Sequence, residues 1–216
     1  MKPTIRIASI EEVDLVSDIL CEAAKWLTEK GEPLWKADEL AAEKLSVDVS
    51  NGMFYIAWVG KDSAGVFKFQ TEDKLFWPDV PDNESCFIHR VAVRRNHAGT
   101  GISSAMIDYA KAATEAMERQ FLRLDTDATR PKLRAVYEKQ GFRFHSTRQV
   151  GPYFVARYEI EVGTANQALH TNGSPGGLLK SAAIVPPAQS RMLLAQPPRL
   201  RLAPIFNHPP LPESRG

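Results

Sequence analysis

The sequence predicts an α/β domain built on a mixed sheet. Segments with strand-like alternation and segments with helical spacing of apolar residues follow one another in the order βααβββαβαββ. A glycine-containing turn, Gly99-Thr100-Gly101, lies where a strand passes into a long helix. The 216 residues are enough for one domain with a sizeable core, and the 25% of charged residues is ordinary for a globular protein.

The first half of the domain is predicted to contain two helices between its first and second strands. Residues 4–8 form a short strand, and Ser9-Ile10-Glu11-Glu12 has the pattern of a capping box, so the first helix is expected to begin there. It ends at Gly31-Glu32-Pro33, and a second helix is expected from Asp38 to Val49. Three strands are expected to follow at residues 53–59, 65–70 and 86–93.

The second half begins with the helix after the glycine turn, which has apolar residues at helical spacing: Ile102, Met106, Tyr109, Ala113 and Met117. The strand at 121–126 is expected to run parallel to the strand at 86–93, because a helix joins them in a right-handed crossover. Pro131 is favoured in the first turn of a further helix, which ends at Gly141. Residues 142–162 are expected to form a closing hairpin.

The last part of the chain differs in composition from the rest. Residues 164–216 hold nine of the fifteen prolines, and five basic residues against a single acid, Glu213. This segment therefore carries a formal charge of +4, and residues 1–163 carry −3. We expect one domain at 1–163 followed by a disordered, basic, Pro-rich tail at 164–216.

Composition and charge also exclude several classes of protein. The net charge of +1 indicates no general affinity for nucleic acid or membrane, and no apolar run is long enough to cross a bilayer. The N-terminus lacks the apolar core of a signal peptide. Cys21 and Cys86 have no metal-ligand spacing. We therefore expect a cytoplasmic protein with reduced thiols and no metal. The expected oligomeric state is a monomer or a homodimer.

The glycine turn predicts a site for phosphate. Glycine allows a turn whose N–H groups point inward, and the start of a helix adds unpaired N–H groups and the positive end of a dipole. Arg94 and Arg95 lie just before the turn and favour the same interpretation. A turn that only joins two elements remains the alternative.

The same segment comes close to the fingerprint of a dinucleotide-binding protein. Residues 99–104 are within one residue of G-x-G-x-x-G, and Asp125 lies at a plausible distance for an acid that binds ribose. However, the fingerprint's first glycine directly follows its strand, whereas here five residues separate Val93 from Gly99. The strand also contains His89 and Arg90, which suit a central strand of that fold poorly. Both differences argue against a dinucleotide site.

Two segments resemble motifs of the GCN5-related N-acetyltransferases, the GNAT family. Asn96-His97-Ala98-Gly99-Thr100-Gly101 is similar to the acyl-CoA pyrophosphate loop Q/R-x-x-G-x-G/A, although Asn96 stands where the family has Gln or Arg. Leu133-Arg134-Ala135-Val136-Tyr137-Glu138-Lys139-Gln140-Gly141-Phe142 is similar to A-x-x-L-Y-E-x-x-G-F. The predicted element order also matches the family. The resemblance therefore implies a mostly antiparallel sheet that is flanked by helices and splayed at the acyl-CoA site.

The resemblance implies an N-acetyltransferase that uses acetyl-CoA as co-substrate. The acetyl group would pass by direct attack to a primary amine of a small molecule or a peptide. Pantetheine would pair with the strand backbone, and pyrophosphate would meet the turn. The expected cofactor-binding residues are Val91, Ala92, Val93, Asn96, His97, Ala98, Gly99, Thr100, Gly101, Ile102 and Ser103. The alternative is a non-catalytic acyl-CoA-binding sensor or interaction module on the same fold.

The resemblance also implies catalytic residues. Tyr137 matches the family's general acid, and a phenol with a pKa near 10 stays protonated and can protonate the departing thiolate. His89 is the first candidate for the base, because it lies on the strand beside the thioester and an imidazole has a pKa near 6.5. Glu84, acting through water, and Asp125 are the other candidates. The alternative for Tyr137 is a packing role, and the alternative for His89 is a structural pairing with a neighbouring strand or loop.

The sequence gives less specific predictions for several other polar and aromatic residues. Arg90 and Asp127 are expected to form a charge pair in solvent or at the sheet edge. Trp26, Trp35 and Trp77 are candidates for the wall of the acceptor site, because the family's first two helices and the loop before its central strand border that site. Packing in the core explains the three tryptophans nearly as well.

Overall fold

The element order predicted from the sequence is confirmed in the computed structural model, which describes residues 2–163. The strands are β1 (Thr4–Ile7), β2 (Phe54–Val59), β3 (Asp62–Gln70), β4 (Ser85–Val93), β5 (Phe121–Asp127), β6 (Arg143–Val150) and β7 (Tyr153–Glu161). The α-helices are α1 (Val13–Glu29), α2 (Ala42–Ser50), α3 (Ile102–Ala116) and α4 (Pro131–Lys139). The predicted tail at 164–216 lies outside the described residues, so it and the domain boundary stay predictions.

Within residues 2–163, the seven strands form one sheet in the order β1-β2-β3-β4-β5-β7-β6. All neighbouring strands are antiparallel except β4 and β5, which are parallel and joined by α3. The sheet is therefore mixed and mostly antiparallel, as expected. The parallel pair follows from the helical crossover, because a tight hairpin cannot join two parallel strands.

The parallel pair of strands separates after three residues. Ser85–Phe87 pair with Phe121–Arg123, and no pairing of β4 with β5 follows in the described chain. Beyond that point β4 still pairs with β3, and β5 still pairs with β7 as far as Asp127. A gap therefore opens in the middle of the sheet, between two strands that each keep their outer neighbour.

A bulge in β4 lies at the point where the gap opens. His89 is opposite Lys68 and Ala92 is opposite Val66, so two residues of β4 face a single residue of β3. Arg90, inside the bulge, has a φ of 51°, which is uncommon for a residue other than glycine. An extra residue bends its strand and increases the local twist. The bulge therefore accounts for the departure of β4 from β5.

Helices cover both faces of the sheet. The face under α3 buries Met106, Ile107 and Ala110 against residues of the central strands. The other face buries one side of α1 together with α2. No helix among residues 2–163 has the length and apolar character needed to cross a membrane.

The starts of the first two helices differ from the predicted positions. A 3₁₀ turn at Ile10–Glu12 precedes α1, although the backbone amide of Ser9 donates to Glu12 Oε2 at 2.9 Å as the capping box predicts. A second 3₁₀ turn, Ala37–Leu40, occupies the expected start of α2. Ala41 is extended, with a ψ of 143°, so the α-helix begins only after it. The starts of these two helices therefore differ from the predicted residues, while the number and order of the α-helices agree with the prediction.

Candidate active site

The glycine turn connects β4 to α3 by way of a 3₁₀ turn at Arg95–His97. Gly99 and Gly101 have φ values of 75° and 86°, in the left-handed region that side chains disfavour. A Cβ built on either glycine would meet no described atom within 4 Å. The turn therefore presents glycine backbone to open space rather than to the core.

Only some of the amides in this turn are available to a ligand. Those of Ala98 and Thr100 donate within the turn, to the carbonyls of Arg95 and His97 at 3.2 and 3.3 Å. Among the described residues, no acceptor is found for four other amides. They belong to Gly99, Gly101, Ile102 and Ser103. Four N–H groups at the positive end of a helix can donate hydrogen bonds to an anion such as pyrophosphate.

The two arginines before the turn have different roles. Arg94 binds α1, where its guanidinium contacts Asp18 at 2.5 Å and Glu22 at 2.6 Å. The expectation that Arg94 supplies charge for phosphate is therefore corrected, because two carboxylates already hold it. Arg95 stacks on Trp26, 3.8 Å from the ring centroid, and its backbone amide binds Glu22. Arg95 also lines the cleft described next.

A cleft of about 200 Å³ occupies the gap between β4 and β5. Its walls include five residues predicted for the site: His89, Val91, Ala92, Val93 and Tyr137. Asp125, the alternative base, also lines it. Trp26 and Trp35 belong to the wall formed by the end of α1 and the residues that follow it. The structure thus brings together residues that are far apart in sequence, and it does so where the sheet is open.

Helix α4 holds Tyr137 over the cleft. Pro131 stands at its N-terminus, and Gly141, with a φ of 90°, follows its end. The hydroxyl of Tyr158 on β7 donates to Glu138 Oε1 at 2.6 Å and accepts from Arg134 Nε at 2.8 Å. These contacts fix α4 to the sheet on both sides of Tyr137.

The environment of Tyr137 keeps its hydroxyl protonated. The ring is half-buried and packs edge-on against Phe142, with centroids 6.2 Å apart. Burial raises the pKa of Tyr137 to about 12, and the nearby charge of Asp125 acts in the same direction. A phenol with this pKa remains a proton donor throughout the range in which proteins are stable.

His89 lies between two carboxylates. Its Nε2 is 3.4 Å from Asp73 Oδ2, and its Nδ1 is 3.5 Å from Asp125 Oδ1. Burial lowers the pKa of His89 and raises that of Asp73, because both charged forms lose their contact with water. The two carboxylates act in the opposite direction on the pKa of His89. Asp73 was missed in the sequence, since it lies in the loop after β3 and belongs to no motif.

The same three side chains offer atoms that could in principle bind a metal ion. One ligand atom from each of Asp73, His89 and Asp125 lies within 4.8 Å of the others. However, the two ring nitrogens of His89 face different carboxylates. A metal ion needs lone pairs that converge on one point. The two carboxylates therefore contact opposite edges of one imidazole ring and do not converge on a single point.

Glu84 lies at the closed end of the strand pair and is absent from the cleft wall. Its carboxylate binds Arg123 at 2.6 Å, and its carbonyl accepts from the amides of Gln120 and Phe121. Arg123 also binds Glu159 at 3.0 Å, so the carboxylate belongs to an ion-pair network. The expectation that Glu84 acts on the substrate through water is corrected by this position.

Two other predictions are corrected as well. Trp77 is only 1% exposed and lies between the guanidinium groups of Arg123 and Arg157, so it is not part of the cleft wall. Arg90 and Asp127 do not form the expected pair. Arg90 is buried near the carboxylates of Glu39 and Asp48, and a different arginine holds Asp127.

That arginine, Arg130, connects the two sides of the cleft. Its Nε binds Asp127 Oδ2 at 3.0 Å. Its other nitrogens donate to the carbonyls of Glu32 and Pro33, in the segment after α1. Leu34 and Trp35 follow directly and line the cleft. Arg130 therefore ties the loop after β5 to the wall opposite.

Comparisons with known proteins agree with this architecture. The model of the acetyltransferase (GNAT) family matches residues 20–142. An uncharacterized N-acetyltransferase, YesJ of Bacillus subtilis, is 24% identical over 145 residues, covering 63% of this chain and 79% of its own.

Solved structures show the same fold. A GNAT-family acetyltransferase from Listeria monocytogenes aligns with a TM-score of 0.64 and 23% identity, covering 74% of this chain and 95% of its own. The PaiA N-acetyltransferase from Thermoplasma acidophilum, solved in complex with coenzyme A, aligns with a TM-score of 0.58 and 16% identity, covering 73% and 98%. Since the family match spans more than half of the sequence and includes both the glycine turn and Tyr137, this chain belongs to the acetyltransferase (GNAT) family.

Proposed function

We propose that this acyl-CoA-dependent acetyltransferase transfers the acetyl group of acetyl-CoA to a primary amine by direct attack. The observation that supports the proposal is that a cleft with proton-transferring side chains lies next to a turn with available backbone amides. The open strand pair places His89 and Tyr137 in a single cleft, and that cleft adjoins a turn with four available amides. The first feature suits a reaction with two proton transfers, and the second suits a phosphorylated co-substrate.

Acetyl-CoA binds, in this proposal, along the gap and across the turn. The pyrophosphate accepts hydrogen bonds from Gly99, Gly101, Ile102 and Ser103, a narrower set than the sequence predicted because Ala98 and Thr100 donate within the turn. The pantetheine arm lies beside Val91–Val93, where β5 has left β4. An extended arm with amide groups can pair there as an added strand does.

The two proton transfers fall to two residues of the cleft. The amine must be neutral to attack the thioester carbonyl, so a base takes its proton, and we assign this role to His89. Collapse of the tetrahedral intermediate then breaks the carbon–sulfur bond and releases a thiolate. Tyr137 donates its proton to that sulfur, because its raised pKa keeps the hydroxyl protonated until then.

The composition of the cleft indicates the kind of amine that binds there. Apolar and aromatic residues form the wall opposite β4, namely Trp26, Leu27, Leu34, Trp35 and Leu133. Burial of an apolar substituent against such a wall contributes about 25 cal/mol per Å². We therefore propose an acceptor with an apolar or aromatic group beside its primary amine, either a small molecule or a peptide end.

Turnover and binding can be measured separately. We expect release of free thiol from acetyl-CoA in the presence of aryl-alkyl and alkyl amines, and much less with polar amines of the same size. A thermal shift with acetyl-CoA in the absence of amine reports binding alone. Stabilisation by acetyl-CoA without thiol release on any amine would support the alternative, a non-catalytic acyl-CoA sensor.

A further inference from the structure

We propose that Gln140 is a positioning residue for the proton donor of the reaction. Its side chain ties the end of α4 to the first turn of α3, and it thereby holds Tyr137 at a set place relative to the glycine turn. This inference rests on the proposed function, in which Tyr137 protonates the departing thiolate. Gln140 is absent from the described wall of the cleft, so it acts through α4 and not on the substrate.

Helices α3 and α4 are held on the sheet in different ways. Helix α3 buries six of its residues, among them Met106, Ile107 and Ala110, which pack into the core beneath it. All nine residues of α4 keep part of their surface exposed. Burial of apolar surface is the main force that fixes a helix on its neighbours. The exact position of α4 therefore depends more on hydrogen bonds than that of α3.

Polar contacts hold α4 at three places along its length. Before its first residue, Arg130 binds the loop after β5 and the opposite wall of the cleft. In its middle, Arg134 and Glu138 share the hydroxyl of Tyr158 on β7. At its end, Gln140 contacts α3. This last contact leads to the helix that begins at the glycine turn.

The contact between the two helices consists of two hydrogen bonds to Gln140. Its side-chain amide donates to Ser104 Oγ at 2.7 Å. Its backbone carbonyl accepts from Lys111 Nζ at 3.1 Å. Ser104 and Lys111 lie about two helical turns apart on one face of α3, so Gln140 is held between them.

Gln140 is also connected directly to the backbone of Tyr137. The carbonyl of Tyr137 accepts from the amides of Gln140 at 3.0 Å and of Phe142 at 3.1 Å. Phe142 is buried, and its ring packs edge-on against that of Tyr137. A displacement of Gln140 would therefore be transmitted over one helical turn to Tyr137 and to the phenol in the cleft.

The other end of the contact lies beside the amides that we assign to the pyrophosphate. Ile102 and Ser103 supply two of those four amides, and Ser104 follows them directly in the first turn of α3. Gln140 therefore helps to set the distance between the bound phosphates and the hydroxyl that must reach the sulfur. Since catalytic groups have to lie about 3–3.5 Å from the atoms they act on, a misplacement of ~1 Å can lower a rate by about 10²-fold.

Substitutions on either helix can remove this contact with little other change. Gln140→Ala removes the side-chain bond and keeps the carbonyl that binds Lys111. Ser104→Ala removes the same bond from the side of α3, and Ser104→Thr keeps the hydroxyl. Gln149→Ala is the matched control, because the side-chain amide of Gln149 also donates at 2.7 Å, to the carbonyl of Gly151 between β6 and β7.

The first measurement is steady-state kinetics of the full chain with acetyl-CoA and the best aryl-alkyl amine in the thiol-release assay. We expect kcat to fall by about 10–100-fold in Gln140→Ala and in Ser104→Ala, and to stay within about twofold of wild type in Ser104→Thr and Gln149→Ala. The Kd of acetyl-CoA should stay within about twofold in all four variants, because each keeps the amides of the glycine turn. Wild-type kcat in folded Gln140→Ala would overturn the proposal. Ser104→Ala decides in its place if Gln140→Ala does not fold.

A double variant separates positioning of Tyr137 from a general structural role. If Gln140 acts through the Tyr137 hydroxyl, its removal has no further effect once that hydroxyl is gone. In a Tyr137→Phe background, Gln140→Ala should therefore change kcat by no more than about twofold. A loss as large as in the wild-type background would overturn the proposal, since it would show that Gln140 supports the site without Tyr137.

Deuterium exchange reports the same contact without turnover. With acetyl-CoA bound, the amide of Phe142, which donates to the Tyr137 carbonyl, should exchange faster in Gln140→Ala than in wild type and Gln149→Ala. Equal exchange in the three proteins would overturn the proposal. A wild type that releases no thiol with any amine would instead refute the proposed function, and the exchange rates would still decide whether Gln140 holds the end of α4 in place.

Discussion

Replacement of Gly101 by valine tests the anion site at the start of α3. Gly101 has a φ of 86°, and a Cβ built there meets no described atom within 4 Å. The free protein therefore has room for the side chain, and only the backbone conformation is unfavourable. In the complex, the same space lies beside four amides that we assign to the pyrophosphate.

The two effects can be given magnitudes. A left-handed backbone costs a residue with a side chain about 1–2 kcal/mol, and in a domain of this size each kcal/mol lowers Tm by about 2–4 °C. Hydrogen bonds to charged groups are worth about 1.5–3 kcal/mol each. Loss of two of the four, because the phosphate is pushed outward, would weaken binding by about 3 kcal/mol or more, which is ~100-fold or more in Kd.

Gly60→Val is the matched control for Gly101→Val. Gly60 lies in the turn between β2 and β3, has a φ of 63° and likewise has no described atom within 4 Å of a built Cβ. Both variants should lose similar thermal stability, while calorimetry should show weaker acetyl-CoA binding only for Gly101→Val. Equal affinity in both folded variants would refute the assignment of the phosphate site to this turn.

Three further changes test other parts of the proposal. Tyr137→Phe should lower kcat by ~10²–10⁴-fold, the range for a positioned acid, with little change in acetyl-CoA affinity, and a variant with near wild-type kcat would contradict this role. Burial raises the pKa of Tyr137, so the phenol should set no alkaline limb below the usual range of a tyrosine. Removal of residues 164–216 should leave Tm and acetyl-CoA affinity unchanged, because the composition of this segment is not that of a packed core. A decrease of several kcal/mol in the free energy of unfolding would contradict this expectation. Arg130→Gln should raise KM for the amine several-fold without changing acetyl-CoA affinity, because the carbonyls of Glu32 and Pro33 lose the side chain that ties them to the loop after β5. An unchanged KM would show that this wall of the cleft keeps its shape without Arg130.

The predictions that the structure confirms depend on local patterns. Apolar periodicity determined the element order, and two glycines after a strand marked a turn with left-handed backbone before α3. The positions of helix starts were less well predicted, because a capping box satisfies the amides of a 3₁₀ turn as well as those of an α-helix. Ser9 therefore indicated that a helix was near but not which residue would begin it.

The predictions that failed depend on contacts between distant parts of the chain. Arg94 adjoins the glycine turn in sequence, yet Asp18 and Glu22 hold its guanidinium from α1. Nothing in the local pattern indicates which partner a long, charged side chain will reach. Asp73 meets His89 only because a loop after β3 folds back behind β4, a property of the whole sheet.

The open strand pair also links the stability of the folded chain to the binding of its co-substrate. The edge of β4 from Ile88 to Val93 has no pairing to β5 in the described chain, and a pantetheine arm would complete it. A ligand that binds only the folded state adds to the free energy of unfolding, by about 2.7 kcal/mol at 100 times its Kd. We expect amides along this edge to exchange with deuterium more slowly once acetyl-CoA is bound, and proteases that act on opened chains to cut more slowly. The amount of this acetyltransferase in a cell would then rise and fall with the supply of acetyl-CoA.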